Sequence, residues 1–110
     1  MNPYALLAAA IASELVATVS LKLSQGFSKP LPSLGVVVGY GVAFALLSLV
    51  LEELPIGMVY ATWAALGIVG IAAVGVVAFG ERLDPAGVAG IACIVLGVVL
   101  LNVVSETSAH

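Results

Sequence analysis

Four long stretches of the chain are almost free of charge, and that pattern constrains the fold more than any other feature. Residues 3–21 contain one charged side chain, and residues 33–51, 57–79 and 86–104 contain none. Each run is close to the ~20 apolar residues that an α-helix needs to cross ~30 Å of hydrocarbon at about 1.5 Å per residue. Lipid offers backbone groups no hydrogen-bond partners, so helices are the structure such runs can adopt. The segments between them carry the breakers and charges: Lys22 to Pro32, Glu52-Glu53-Leu54-Pro55 and Gly80 to Pro85. The expected fold is therefore an all-α membrane protein, with residues 1–110 forming one four-span transmembrane domain.

Composition excludes the alternatives. Hydrophobic residues make up 63% of the chain and charged residues 8%, with a mean hydropathy of +1.28. A soluble domain carries about a quarter charged residues. Only three cations are present, Lys22, Lys29 and Arg82, so no basic patch exists for nucleic acid. The single cysteine, Cys93, can form neither an internal disulfide nor a metal site and reads as a small packing residue.

Local signals mark the helix ends. Asn2 before Pro3, and Asp84 before Pro85, each place a capping residue ahead of a proline at the first helical position. Ser33 is the expected cap of the second helix. The first span lacks a basic n-region and holds a glutamate, so it reads as a span and not as a cleavable signal.

Four spans put both ends of the chain on one side of the membrane and the first and third connections on the other. All three cations lie in those two connections. Taken literally, the positive-inside rule places the termini outside, but a bias of three residues is small and Lys22 can snorkel from a helix end. Insertion in either orientation is compatible with so weak a bias.

Glu14 is the single ionisable residue well inside a span. It lies eleven residues beyond Pro3, about 16 Å along the axis and near the bilayer midplane. A carboxylate there costs at least ~2.5 kcal/mol on insertion scales. It serves either as hydrogen-bonded glue between helices or as a proton and cation site. Removal from water disfavours the charged form, so such a group can hold a proton until a cation displaces it. At helical spacing its face carries Leu7, Ala10, Ile11, Ala17, Thr18 and Leu21, whose small members leave room beside the carboxylate.

Aromatic residues supply a second element. Tyr40, Tyr60 and Trp63 lie within spans, and Tyr60, Trp63 and Gly67 share one helical face. Aromatic faces attract cations and stack on planar rings, so together with Glu14 they describe a site for lipophilic, aromatic or quaternary-ammonium cations. Aromatic residues also form interfacial belts, and Tyr4 near the membrane edge fits that role. No organic cofactor or metal is called for. The proton is the expected coupling ion.

Four helices form too little wall for a transport path, and the two halves show no internal repeat. A second copy is expected to complete the site, with two Glu14 side chains titrating as a coupled pair. Small residues permit close helix approach at Gly35 and Gly39, at Gly67 and Gly70, and at Gly90 and Gly97. The last pair is the expected dimer contact.

These residues resemble the small multidrug resistance family of bacterial proton-coupled exporters, over essentially the whole chain. The resemblance is carried by Met1-Asn2-Pro3-Tyr4, by Glu14 with Thr18 and Lys22, and by Gly26-Phe27. It continues through Leu54-Pro55-Ile56-Gly57, Tyr60-Ala61-x-Trp63 with Gly67, and Gly80-Glu81-Arg82-Leu83-Asp84. It implies an antiparallel dimer in the bacterial inner membrane, a shared proton and substrate site at Glu14, and a cavity shaped by Tyr4, Ala10, Ile11, Thr18, Tyr40, Tyr60 and Trp63. It also implies alternating access, with bending of the third helix near Gly67.

Leu15, Val16 and Ala17 follow the glutamate where guanidinium exporters of the family typically place tryptophan, so the sequence is similar to the quaternary-ammonium branch. Ala43, Ala64 and Ala65 depart from the family pattern. Some members are heteromers of two similar chains, and Glu52-Glu53 could mark such a member. The competing readings are a guanidinium or polyamine exporter and, from another class, a rotor-like proton-carrying or assembly subunit.

Overall fold

The computed structural model describes residues 2–104. It contains helices α1 (Pro3–Leu23), α2 (Pro30–Val50), α3 (Ile56–Phe79) and α4 (Pro85–Val99), the last continuing as a π-helical turn over Leu100–Val104. There is no strand among the described residues. All four helices, counting Pro85–Val104 as one, are long and apolar enough to cross a membrane. They group into two compact units, Met1–Glu53 and Leu54–His110, a subdivision that hydropathy did not signal.

Two helix starts follow the sequence signals. Asn2 Oδ1 accepts the Tyr4 N–H at 2.7 Å, and Asp84 Oδ1 accepts the Gly87 N–H at 2.8 Å, each with proline at the first helical position. The second helix departs from expectation. It begins at Pro30, so Ser33 lies inside the first turn and its hydroxyl donates back to Lys29 O at 2.6 Å. Pro30 and Pro32 fall where backbone N–H groups lack helical partners in any case, so proline starts this helix without loss. The first helix runs on to Leu23, which places Lys22 in its last turn, the favourable end of the helix dipole for a cation.

The connection between α1 and α2 turns on Ser24, which is fully buried. Its Oγ donates to Leu21 O at 2.7 Å and accepts the Phe27 N–H at 3.1 Å, while its carbonyl accepts from Ser28 N and Lys29 N. The reversal requires three successive residues with positive φ, Gln25, Gly26 and Phe27.

In the first unit α1 and α2 pack as an antiparallel hairpin on small residues. A Cβ on Gly39 would stand 2.7 Å from Ala17 Cβ and 3.1 Å from Ala17 Cα, and one on Gly35 would stand 2.8 Å from Ser20 Oγ. Gly35 and Gly39 therefore bring these two helices together within the chain. Ser13 Oγ adds a bond to Gly39 O at 2.8 Å. In the second unit Asn102, near the end of α4, meets Thr62, near the start of α3. Nothing on α4 is buried, and Cys93, expected to be a packing residue, is exposed there.

Candidate functional site

Glu14 lies about midway along α1 and is half-buried. One turn further on, Thr18 presents its hydroxyl to the carboxylate, as i and i+4 side chains do on a helix. Thr18 Oγ1 donates to Glu14 Oε1 at 2.7 Å. The same oxygen lies 2.8 Å from the Tyr40 hydroxyl on α2. A hydroxyl has one proton to give, and that of Thr18 is committed to Glu14. The order is therefore fixed: Tyr40 O–H donates to Thr18 Oγ1, and Thr18 O–H donates to Glu14.

This chain joins two helices through a carboxylate near the middle of a span. Tyr40 is positioned by the close approach of its neighbour Gly39 to Ala17, and its ring stacks on Phe44 one turn on, with centroids 6.3 Å apart. Phe44 is exposed. The carboxylate is thus held by a donor on its own helix, and that donor is held by an aromatic group on the next.

The remaining residues of the expected site are distributed differently. Ala10 and Ile11 are buried, as are Leu7 and Ala17. The room expected beside Glu14 from its small neighbours is taken, at Ala17, by the backbone of Gly39. Tyr4 is exposed in the first turn of α1. Tyr60, Trp63 and Gly67 lie on α3 in the second unit, Tyr60 exposed and Trp63 half-buried. Gly90 and Gly97 lie on α4, where an added Cβ would meet nothing within 4 Å.

Two features of the polar architecture were not read from the sequence. The Thr18–Tyr40 contact spans 22 positions, and no periodicity within one helix signals it. Thr62 and Asn102, hydrogen-bonded at 3.0 Å, are uncharged polar residues in otherwise apolar runs, and that was the signal available for them.

Four spans with a hydroxyl-bonded carboxylate inside the first define a helical membrane protein that keeps an ionisable group at a depth where lipid disfavours charge. Comparison with known proteins gives the family. Residues 2–94 match the family model described as Small Multidrug Resistance protein. The chain is 52% identical over 110 residues to a multidrug transporter of Pseudomonas aeruginosa, covering all of both chains. It is 47% identical, again over the full length of both, to the quaternary ammonium compound-resistance protein QacE of Escherichia coli. With the multidrug resistance protein EbrA of Bacillus licheniformis it shares 48% identity over 99 residues, 90% of this chain and 94% of the other. The chain belongs to the small multidrug resistance family, and is a multi-pass membrane protein.

Proposed function

We propose that this protein exports hydrophobic and quaternary-ammonium cations across the bacterial inner membrane in exchange for protons, with Glu14 binding either proton or cation. The observation that carries the reading is the Tyr40–Thr18–Glu14 hydrogen-bond chain inside the first span. The names of full-length relatives, a multidrug transporter and a quaternary ammonium resistance protein, support the substrate class.

The steps follow from the residues. In the proposed cycle Glu14 carries a proton until a cation displaces it. An arriving cation is attracted by the carboxylate and by the ring faces of Tyr40, Tyr60 and Trp63, and the proton leaves. Thr18 holds Oε1 in place, so the carboxylate changes occupant without changing position. Tyr4, Ala10 and Ile11 form the outer wall of the cavity once the helices around Glu14 part. Bending of α3 at Gly67 exchanges the side from which Glu14 is reached, and proton return on the other side releases the cation.

A second copy of the chain, inserted in the opposite orientation, supplies the other half of the path and a second Glu14. Gly90 and Gly97 on α4 form the contact between copies. The open space around both glycines supports that role. A similar but distinct partner chain in place of the second copy is the heteromeric variant of the same arrangement.

The deciding experiment is binding of tetraphenylphosphonium to the purified chain across pH, with and without Glu14→Gln. Cation binding should release protons, and affinity should fall as pH falls, because protons compete for the same carboxylate. Glu14→Gln should remove both the binding and its pH dependence while insertion persists. Unchanged binding and unchanged resistance in Glu14→Gln would overturn the proposal. Binding by the single purified chain would also establish that no different partner is needed.

A further inference from the structure

The second unit contains a polar tie for which the carboxylate site has no use. Asn102 Nδ2 donates to Thr62 Oγ1 at 3.0 Å and to Val98 O, one turn back on its own helix, at 2.9 Å. Both N–H groups of the amide are thus engaged, one across to α3 and one along α4. Asn102 sits in the π-helical turn Leu100–Val104. A π turn closes its hydrogen bonds over five residues and not four, which changes the direction in which the residues within it project. Such turns recur at functional positions.

Thr62 lies between Tyr60 and Trp63 in sequence, six residues into α3 and five before Gly67. The tie therefore grips α3 in the segment that carries both aromatic residues, ahead of the glycine. Both partners are polar residues in apolar helices. Where lipid displaces water from the pair, breaking the bond strands a donor and an acceptor.

We propose that Thr62 and Asn102 are positioning residues that hold the aromatic half of α3 against α4, and so set how well Tyr60 and Trp63 engage a planar aromatic cation. The proposal rests on the export reading for the cation. The clamp itself does not depend on that reading. The half of α3 bearing Tyr60 and Trp63 is thus tied to the end of α4 by this bond, and the half beyond Gly67 is joined to the start of α4 by the short connection from Gly80 to Asp84. The bond acts through Trp63 and touches no substrate.

Trp63 is the only tryptophan of the chain, so its fluorescence reports on this segment without labelling. In the full-length protein reconstituted in lipid, without substrate, Thr62→Val should lower the fluorescence anisotropy of Trp63. Thr62→Ser, which keeps the hydroxyl, should restore it. Asn102→Leu should reproduce Thr62→Val, and the double variant should add nothing further.

With substrate, Thr62→Val should raise the KM for tetraphenylphosphonium about three- to tenfold with maximal rate nearly unchanged, the range expected for one interhelical hydrogen bond. The KM for tetramethylammonium, which has no ring to stack, should stay within about twofold. A role in helix stability alone would lower thermal stability without changing the ratio between the two cations. Unchanged anisotropy and an unchanged cation ratio in Thr62→Val would overturn the proposal, as would fully additive effects of the two single variants. If Asn102→Leu fails to insert, the Thr62→Val and Thr62→Ser pair, which differ at one side chain, carries the comparison. If the unaltered protein binds neither cation, the export reading fails, and the anisotropy series still decides the clamp.

Discussion

The Thr18 hydroxyl donates to Glu14 Oε1 at 2.7 Å from one turn further along the same helix. Its single proton is thereby used, so the neighbouring Tyr40 hydroxyl, at 2.8 Å, acts as donor to Thr18. The carboxylate is oriented by a hydroxyl that is itself oriented from α2. Small changes in how α1 and α2 pack are in this way transmitted to the group proposed to carry both proton and cation.

The two bonds of this chain differ in strength, which makes them separable. A hydrogen bond to an ionised carboxylate contributes about 1.5–3 kcal/mol, and one between neutral groups about 0.5–1.5 kcal/mol. Thr18→Val should therefore weaken tetraphenylphosphonium binding by roughly ten- to a hundredfold, and Thr18→Ser should largely preserve it. Isothermal titration of the purified variants at one pH checks the order. Equal affinity in Thr18→Val and the unaltered protein would contradict the role given to this hydroxyl.

Gly39 and Gly41 provide a contrast in packing within one turn of α2. A Cβ at Gly39 meets Ala17 Cβ at 2.7 Å and its backbone Cα at 3.1 Å, whereas one at Gly41 meets nothing within 4 Å. Gly39→Ala should force α1 and α2 apart at a cost of about 1–3 kcal/mol, and should weaken the Thr18–Tyr40 contact beside it. Gly41→Ala should be close to neutral. Thermal unfolding in detergent, followed by helix signal and by cation binding, distinguishes the two.

The turn after α1 tests backbone conformation without packing. Gly26 has φ of +73° and nothing within 4 Å of where a methyl group would stand, so Gly26→Ala meets no obstacle except its own left-handed backbone. A cost of about 1–2 kcal/mol is expected from that conformation alone. The check is the unfolding midpoint of Gly26→Ala against that of Gly57→Ala, which also has free space but no positive φ.

Association should depend on α4 without the fold doing so. Since Gly97 has open space around it, Gly97→Ile should leave the helical content and thermal stability of the single chain nearly unchanged. If Gly90 and Gly97 form the contact between copies, the same variant should shift the protein from dimer to monomer in detergent and abolish transport. Cross-linking and light scattering measure the first, vesicle uptake the second. A dimer of unaltered strength would exclude this face.

Much of the architecture can be read along the chain because its causes are local. Whether a segment spans the bilayer depends on its own length and charge, and whether Asn2 or Asp84 caps a helix depends on the next three residues. The exception at the start of α2 is also local. Ser33 has the right chemistry for a cap, but two prolines ahead of it satisfy the helix start sooner, and its hydroxyl turns back to Lys29 O. The identity of Glu14 as the ionisable group at the middle of a span needed nothing beyond counting.

Contacts between helices were decided elsewhere. The sequence by itself determined four apolar helices, their approximate ends, one intramembrane carboxylate and a set of aromatic residues suited to cations. Only the tertiary structure decided that Tyr40 reaches Glu14 through Thr18, that the small residues around Ala17 are filled by Gly39, and that a π-helical turn on α4 meets Thr62. The physical reason is rotation. Hydropathy is nearly uniform around each of these helices, so no apolar stripe specifies which face turns inward. That choice is made where glycine and alanine allow two backbones to touch, and the polar side chains beside those contacts acquire their partners as a consequence.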